Sequence, residues 1–419
     1  MIHQNLNKKK FPIYLFIILY FSLIVGFFLD ENLNFGSYND WIGTNYNAIQ
    51  LFANNFKDTL LNYDTIGHRH SPIYPIFLSF FYKLGFSENI IRFINLNLAI
   101  LLIYFFFKCL EIKFKNVNYN FLLVFSFVFF LSPNFRSLSI WPDSRIIGLL
   151  FFTISIYQFL KFQKIKQISY FWKSLGILII SSYISPNFSL FIIYYYFYFF
   201  NKVNKYTLFL SLVFCSLSAF PALYYLFILD VNFLISNTPA LDAGATALSY
   251  NFSNKILLIS SIISFHLIPF IIDKKFLKKL FSFISKNIFI IGLFLLVNIY
   301  FFNYSINFTG GGIFFQFSNL IFKNNFLFYL ISFFSLGLLF YFVNKNRENL
   351  LIFFILILSN IQTTIYHKYY DLLLIILFFT IINSELIKNF FKKKFGLEYL
   401  YLFYVSYIIM RFFKNNFIV

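Results

Sequence analysis

Two aspartates are the candidates for acid–base chemistry in this sequence, because carboxylates are scarce in it. The 419 residues include only 15 acidic ones. Asp40 follows Gly36 and precedes a stretch with amphipathic helical spacing, so its carboxylate can be held at a helix entry. Asp143 stands between Pro142 and an apolar run, which is also the pattern of an ordinary N-terminal helix cap. A carboxylate at either position could accept a proton from a hydroxyl group.

Basic side chains form a second group of candidates, of the kind that binds anions. Guanidinium, imidazole and ammonium groups donate hydrogen bonds to phosphate oxygens, including those of lipid head groups. The same side chains could instead extend toward a membrane surface or pair with nearby carboxylates. The candidates are Arg69, His70, Arg145, His367 and Lys368. The sequence shows no cluster of metal ligands, and neither Cys109 nor Cys215 indicates a disulfide or a metal site.

Long apolar runs surround these candidates and must position them. Hydrophobic residues make up 60% of the chain and charged residues 12%, with a mean hydropathy of +0.74. Soluble domains carry about 25% charged residues. Runs of about 18 to 22 apolar residues recur, and each can cross a hydrocarbon layer of about 30 Å as a helix. We therefore predict an all-α, polytopic transmembrane helical bundle.

Thirteen spanning helices are predicted, with the N-terminus inside. Their ranges are about 11–29, 89–108, 118–133, 144–161, 170–184, 187–201, 206–228, 255–272, 286–303, 326–343, 349–365, 371–388 and 397–412. The basic residues fall in alternate loops, which is the positive-inside pattern, so the net charge of +19 is a signal of topology. Because the basic clusters lie in short loops without a folded domain, we expect no nucleic-acid partner.

The longest stretch between spans follows the first helix and is predicted to lie outside. It carries five of the fifteen acidic residues, namely Asp30, Glu31, Asp40, Asp58 and Asp64. Tyr46, Ile49 and Phe52 recur at helical spacing and indicate an amphipathic helix. The apolar stretch 73–84 is too short to span, so it lies in the interface or re-enters. We expect residues 30–84 to fold as a structured outer loop of short helices.

With these residues in view, the chain resembles the GT-C glycosyltransferases, polytopic enzymes that use a polyprenyl-phosphate-linked sugar. The aminoarabinose-transferase and protein-mannosyltransferase branch is the most similar. In that family the first outer loop holds a catalytic acid before an amphipathic helix; here Asp40 precedes Tyr46-Asn47-Ala48-Ile49. The loop closes on a basic residue before proline, as in His70-Ser71-Pro72 here, and a later acid opens a helix, as in Pro142-Asp143. The resemblance covers about residues 11–165.

The resemblance implies an inverting transfer of sugar from a lipid-linked donor to a lipid, glycan or protein acceptor. It implies Asp40 as the base, Asp143 as a supporting or metal-linked carboxylate, and the five basic candidates as phosphate-binding or substrate-binding residues. Asp30, in the pair Asp30-Glu31, is the alternative base. A divalent metal ion assists in some members of the family. The implied location is the bacterial plasma (inner) membrane, among membrane lipids, with the active site facing outside.

The predicted organisation is one integral membrane domain over residues 1–419. Within it, residues 30–84 form the first outer loop with amphipathic or interfacial helices. Residues 85–228 complete the GT-C-like module, and residues 229–419 supply variable C-terminal helices.

Two other functions fit the same composition. A multi-span transporter or flippase also has many spans and few charges, but its ionisable residues would gather at mid-membrane, and the halves of this chain do not repeat. A polysaccharide polymerase or ligase would carry its large outer loop in the second half, whereas the longest loop here follows the first helix. The placement of charged residues is the feature that discriminates these alternatives.

Overall fold

The computed structural model describes residues 10–67, 70–233, 250–308, 310–393 and 395–415. Helix makes up 80% of the structure, and no β-strand occurs within these ranges. The predicted all-α class is therefore confirmed. The described residues fall into two compact units. The first unit draws on Met1–Thr238 and Tyr401–Val419, and the second on Pro239–Leu400.

The first unit contains twelve of the helices described here and most of the last one. They are α1 (Phe11–Phe28), α2 (Phe35–Asp40), α3 (Tyr46–Asn54), α4 (Phe56–Leu61), α5 (Ile73–Lys83), α6 (Glu88–Lys113), α7 (Tyr119–Ser126), α8 (Pro133–Ile140), α9 (Ser144–Ile165), α10 (Ile168–Ile184), α11 (Phe191–Phe199) and α12 (Lys205–Leu223). A π-helical turn, Trp41–Asn45, joins α2 to α3.

The second unit is built around one buried helix. Its helices are α13 (Phe252–Ile271), α14 (Lys274–Lys286), α15 (Ile288–Tyr300), α16 (Gly312–Phe322), α17 (Phe326–Lys345), α18 (Glu348–Leu358), α19 (Asp371–Thr380) and α20 (Glu385–Phe390), and α21 (Gly396–Phe413) joins the first unit from Tyr401 onward. Helix α13 is the most buried of the long apolar helices, with 78% of its apolar window inside the protein. It therefore forms the core of this unit.

Six helices in the described residues are long and apolar enough to cross a membrane, and the number rises to eight if each of two bent pairs is one span. The six are Phe11–Phe28, Glu88–Lys113, Ser144–Ile165, Lys205–Ile228, Phe252–Ile271 and Phe326–Lys345. This is the architecture of an integral membrane protein. Each of the thirteen predicted ranges holds a helix, but several of these helices are too short to span alone. The count of thirteen crossings and the inside N-terminus stay predictions.

One predicted span is broken at a proline. The range 118–133 holds Tyr119–Leu131, and Pro133–Ile140 continues from it at an angle of 69°. Proline disfavours helical backbone in the residue before it, and Ser132 is extended, with its hydroxyl accepting a hydrogen bond from the Phe135 amide at 3.1 Å. Pro133 therefore begins a new helix, α8, which brings the chain back toward Asp143.

The described residues of the segment 30–84 include the short helices α2 to α5. Ile49 and Phe52 of α3 are each 1% exposed, so the amphipathic face packs inward. The placement of Asp40 needs a correction. It ends α2 and leads into the π-helical turn, whereas a helix entry was predicted. Buried Trp41 extends the helical backbone through this point, so Asp40 does not act as a cap.

Candidate functional site

Three of the predicted site residues converge in the first unit. Asp40, His70 and Asp143 each offer an oxygen or nitrogen atom, and these atoms all lie within 4.8 Å of one another. The guanidinium of Arg145 joins them: its Nη1 is 3.5 Å from Asp143 Oδ2 and its Nη2 is 3.9 Å from Asp40 Oδ2. We call these four side chains the carboxylate cluster. They come from three separate parts of the sequence, so only the fold brings them together.

The contact between Arg145 and His70 fixes the form of the imidazole. Arg145 Nη2 lies 2.7 Å from His70 Nε2. A guanidinium can only donate hydrogen bonds, so Nε2 of His70 accepts and the ring proton is on Nδ1. His70 is therefore a neutral imidazole in this arrangement, and its one acceptor nitrogen is already used by Arg145.

Asp40 is positioned by the π-helical turn that follows it. Trp41 is fully buried, and its indole N–H donates to Glu88 at 2.7 Å. Asn45, at the other end of the turn, donates its amide to the carbonyl of Pro142 at 2.9 Å. Single π-helical turns occur often at functional sites. Here the turn that follows Asp40 is joined, through Asn45, to the carbonyl of the residue before Asp143.

Asp143 is both a helix cap and a member of the cluster. Its side chain is 1% exposed, and Oδ1 accepts a hydrogen bond from the Arg145 amide at 2.9 Å, which caps α9. The cap anticipated from sequence is thus present, and the same carboxylate faces the Arg145 guanidinium through its second oxygen. Asp143 therefore holds Arg145 by backbone and by charge.

A buried chain of hydrogen bonds holds the end of α8, a few residues before Asp143. Tyr74 donates its hydroxyl to Asn95, and Asn95 donates its amide to the carbonyls of Leu138 and Ser139, at 3.0 and 2.7 Å. Burial, together with the neighbouring Asp143 carboxylate, raises the pKa of the Tyr74 phenol well above its ordinary value. Tyr74 thus stays a neutral donor, and the end of α8 is held in place.

A small cleft lies beside the cluster. Its walls include the residues next to both aspartates in sequence, and it is lined by Trp41, Asn45, Ile49, Tyr74, Pro75, Leu78, Pro142 and Ser144. Aromatic and aliphatic side chains dominate, with a few polar groups at one side. The cleft has room for about one water molecule, so it is a gap next to the cluster and not a pocket for a sugar or a lipid chain.

The acidic pair Asp30-Glu31 has a different role, because both carboxylates are held by arginines. Glu31 forms two contacts of 2.6 Å with Arg136, through Nε and Nη2. Asp30 forms one contact of 2.6 Å with Arg92. The space for the Glu31 pair depends on Gly26, where a Cβ atom would lie 2.5 Å from Glu31 Oε2. These pairs fasten the end of α1 to α6 and α8.

Three predicted site residues remain, and two of them belong to the second unit. Arg69 is outside the described residues. His367 and Lys368 belong to the second unit, in a short 3-10 helix, and the Lys368 ammonium lies over the Tyr366 ring at 5.4 Å. His367 Nε2 is 2.6 Å from Nε2 of His266, whose Nδ1 is in turn 3.5 Å from Asp371. The structure places His367 in a second group, with His266 and Asp371.

His266 is the residue that sequence reasoning missed. It lies inside the apolar helix α13 and is 2% exposed, and Asp371 is fully buried. An ionisable residue within an apolar span needs a partner, and the signal was present in the sequence as a histidine in an otherwise apolar run. Its partner could not be identified there, because Asp371 is far away along the chain.

The donor set of the carboxylate cluster suits a divalent ion. Two carboxylates and an imidazole are ligands that Mg²⁺, Mn²⁺ or Zn²⁺ accept. The spread of up to 4.8 Å between the atoms is somewhat wider than the roughly 3 to 4 Å between ligands that each bind an ion at about 2.1 Å. Such a site would therefore need small side-chain rotations, and Arg145 would have to release the nitrogen of His70. Arg145 occupies the same cluster and would share both carboxylates with the ion.

The fold and this cluster define a helical integral membrane protein with a carboxylate–histidine–arginine site after its first long helix. No family model, curated protein or solved structure matches the chain.

Proposed function

We propose that this protein is a membrane glycosyltransferase, which moves a sugar from a polyprenyl-phosphate donor to an acceptor hydroxyl group. One observation carries the proposal: Asp40, predicted as the base, lies in one cluster with His70, Asp143 and Arg145. The Asp40 side chain is 36% exposed, so an acceptor can reach it, whereas Asp143 is buried. Accessibility therefore favours Asp40 over Asp143 as the base.

The chemistry follows from these positions. Asp40 takes the proton of the acceptor hydroxyl while the acceptor oxygen bonds to the anomeric carbon. The bond from that carbon to the phosphate oxygen breaks, and its electron pair leaves with the polyprenyl phosphate. Arg145 offers positive charge close by, and Asp143 holds it in place. A divalent ion held by Asp40, His70 and Asp143 would add positive charge beside the departing phosphate.

The location of the site is part of the proposal. The alternation of basic loops supports an inside N-terminus, about thirteen crossings and a segment 30–84 on the outer face of a bacterial plasma membrane. The cluster would then face the outer leaflet, where a lipid-linked donor presents its phosphate at the interface.

The alternative base, Asp30, is disfavoured by its contacts. It forms a 2.6 Å pair with Arg92, whose guanidinium also lies 3.7 Å from the centre of the Trp141 ring. This contact occupies the Asp30 carboxylate. Asp40 is 3.9 Å from its arginine and lies within the carboxylate cluster, which favours it as the base.

The experiment is sugar transfer by the full chain in lipid vesicles, with polyprenyl-phosphate donors that carry tritiated hexoses. Asp40→Asn should lower turnover by about 10²- to 10⁴-fold, because the amide cannot take the proton. Asp58→Asn is the matched control, since Asp58 is an exposed carboxylate of the same segment and contacts Asn62. Full activity in the Asp40 variant with a dead Asp30→Asn variant would move the base to Asp30. Full activity in both would remove this mechanism.

Transport is a second candidate, favoured by one observation. His266 and Asp371 are buried ionisable groups of the second unit, and His266 lies within a helix of spanning length. Such groups can mark an ion or substrate pathway. Uptake of labelled substrate into vesicles that depends on His266, without sugar transfer, would favour this function.

A further inference from the structure

Helix α14 carries a basic face that the proposed glycosyl transfer does not use. Its lysines, Lys274, Lys275, Lys278, Lys279 and Lys286, are all exposed. Phe276, Leu280 and Ile284 recur every fourth residue on the other face and are 7%, 6% and 4% exposed. This is the pattern of a basic amphipathic helix. Asp273 caps its start by accepting a hydrogen bond from the Lys275 amide at 2.9 Å.

The apolar face of α14 is already occupied by the second unit itself. The rings of Phe276 and Phe283 each lie 5.5 Å from the ring of Tyr341 in α17. Ile284 packs against Gly337, where a Cβ atom would lie 2.7 Å from two of its carbons. The helix is therefore fixed by its apolar side, and its lysines are the surface that it presents.

The angle between α14 and the next helix orients this surface. Helix α15, an apolar helix, follows after a bend of 76°. Apolar helices in membranes tilt by about 20° on average from the bilayer normal. With α15 in that orientation, the 76° bend places α14 near the plane of the membrane. At the junction, Phe281 is 49% exposed and Phe289 is 89% exposed. Large apolar side chains beside lysines are typical of a helix at the lipid interface.

We infer that the lysine face of α14 binds the head groups of anionic phospholipids in one leaflet. Charge complementarity selects this partner, because five exposed ammonium groups lie on one short helix beside the lipid phase. Lys279 lies 3.8 Å from Glu385, but both side chains are more than half exposed, so this pair is weak. The remaining positive charge is available to lipid phosphates. The surface is independent of the carboxylate cluster.

The test measures lipid binding by the purified full chain in detergent, with phosphatidylglycerol and phosphatidylcholine of identical acyl chains, by native mass spectrometry. The unchanged protein should bind phosphatidylglycerol about tenfold more tightly, with less preference as salt rises. Changing Lys274, Lys275, Lys278 and Lys279 to Gln should remove most of the preference, and changing the same four to Arg should keep it. The Arg variant shows that loss in the Gln variant comes from charge.

The matched control changes four exposed lysines of the first unit to Gln. They are Lys115, Lys164, Lys202 and Lys205. This variant loses the same charge and should keep the lipid preference within about twofold. Its four lysines come from different elements and do not form one basic helix face, so they act mainly through the weak, screened field. Equal loss in the control and α14 variants, or equal binding of the two lipids by the unchanged protein, would overturn the inference. Displacement of phosphatidylglycerol by millimolar inorganic phosphate would overturn it too, since the surface would then recognise phosphate rather than a membrane.

Discussion

Glu31→Gln should destabilise the first unit much more than Asp30→Asn, although the two carboxylates are neighbours and each pairs with an arginine. The Glu31 and Arg136 side chains are 20% and 7% exposed, and two contacts of 2.6 Å join them. Asp30 is 62% exposed and makes one such contact with Arg92. Burial and geometry therefore differ sharply between adjacent positions.

The expected magnitudes follow from this difference. Removing one partner of a buried ion pair costs about 3 to 5 kcal/mol, because the other charge stays buried. Glutamine keeps one oxygen acceptor, and Arg136 still donates to the carbonyls of Ser22 and Phe130. We therefore expect about 2 to 3 kcal/mol for Glu31→Gln. Asp30 is itself exposed, and the buried Arg92 keeps its hydrogen bonds to Ile140 and Asn89, so we expect about 1 kcal/mol for Asp30→Asn.

The assay is thermal unfolding of the purified protein in one detergent, followed by tryptophan fluorescence. Trp141 is one of three tryptophans, and its indole N–H donates to the Glu31 carbonyl at 3.0 Å, so it reports on this region. Adding Arg136→Gln to Glu31→Gln should recover part of the loss, because no uncompensated charge remains. Equal shifts of the midpoint for Glu31→Gln and Asp30→Asn would refute the reasoning from burial.

Three further outcomes are expected. Asp143→Asn should keep the α9 cap, because asparagine caps as well as aspartate. It should lower the free energy of unfolding by about 1 to 2 kcal/mol, because Arg145 loses its nearer carboxylate. Denaturant unfolding measures this change. His266→Leu should cost about 3 kcal/mol by leaving the buried Asp371 without its imidazole, and His266→Leu with Asp371→Leu should be more stable than the single variant in the same assay. Calorimetric titration with Mn²⁺ should show binding at one site. His70→Gln should lower the affinity for Mn²⁺ by at least about tenfold, and His367→Gln should leave it unchanged. Binding should be weaker at acid pH, because protons compete with the ion for its ligands.

The sequence predicts helices well where an apolar run has a clear start. The predicted range 144–161 became Ser144–Ile165, capped by Asp143 as its position after Pro142 indicates. It predicts a broken helix less well. Pro133 suggested a helix end, but whether the chain then continues into another helix depends on packing that only the fold provides. The length of each helix, and hence the number of crossings, is the part that local pattern leaves open.

The sequence does not reveal which arginine pairs with which carboxylate. Arg136 and Arg145 look alike in sequence, since each lies close to a helix start in the same region of the chain. The structure commits Arg136 to Glu31 and places Arg145 with Asp40 and Asp143. These pairings join residues that are distant along the chain, so they depend on tertiary geometry. Residue type alone identifies Asp40 and Asp143 as candidate site residues, but it does not show that they lie in one cluster.

The charges of the carboxylate cluster bear on how a phosphate could bind there. Two carboxylates face one guanidinium, and His70 is neutral because its Nε2 accepts from Arg145. With both aspartates ionised, the four side chains carry one net negative charge, which would repel a phosphate and attract a cation. Arg145 and His70 can therefore bind phosphate only if their present contacts are released or if further positive charge enters the cluster. A divalent ion would supply that charge, so metal binding and donor binding should be coupled at this site.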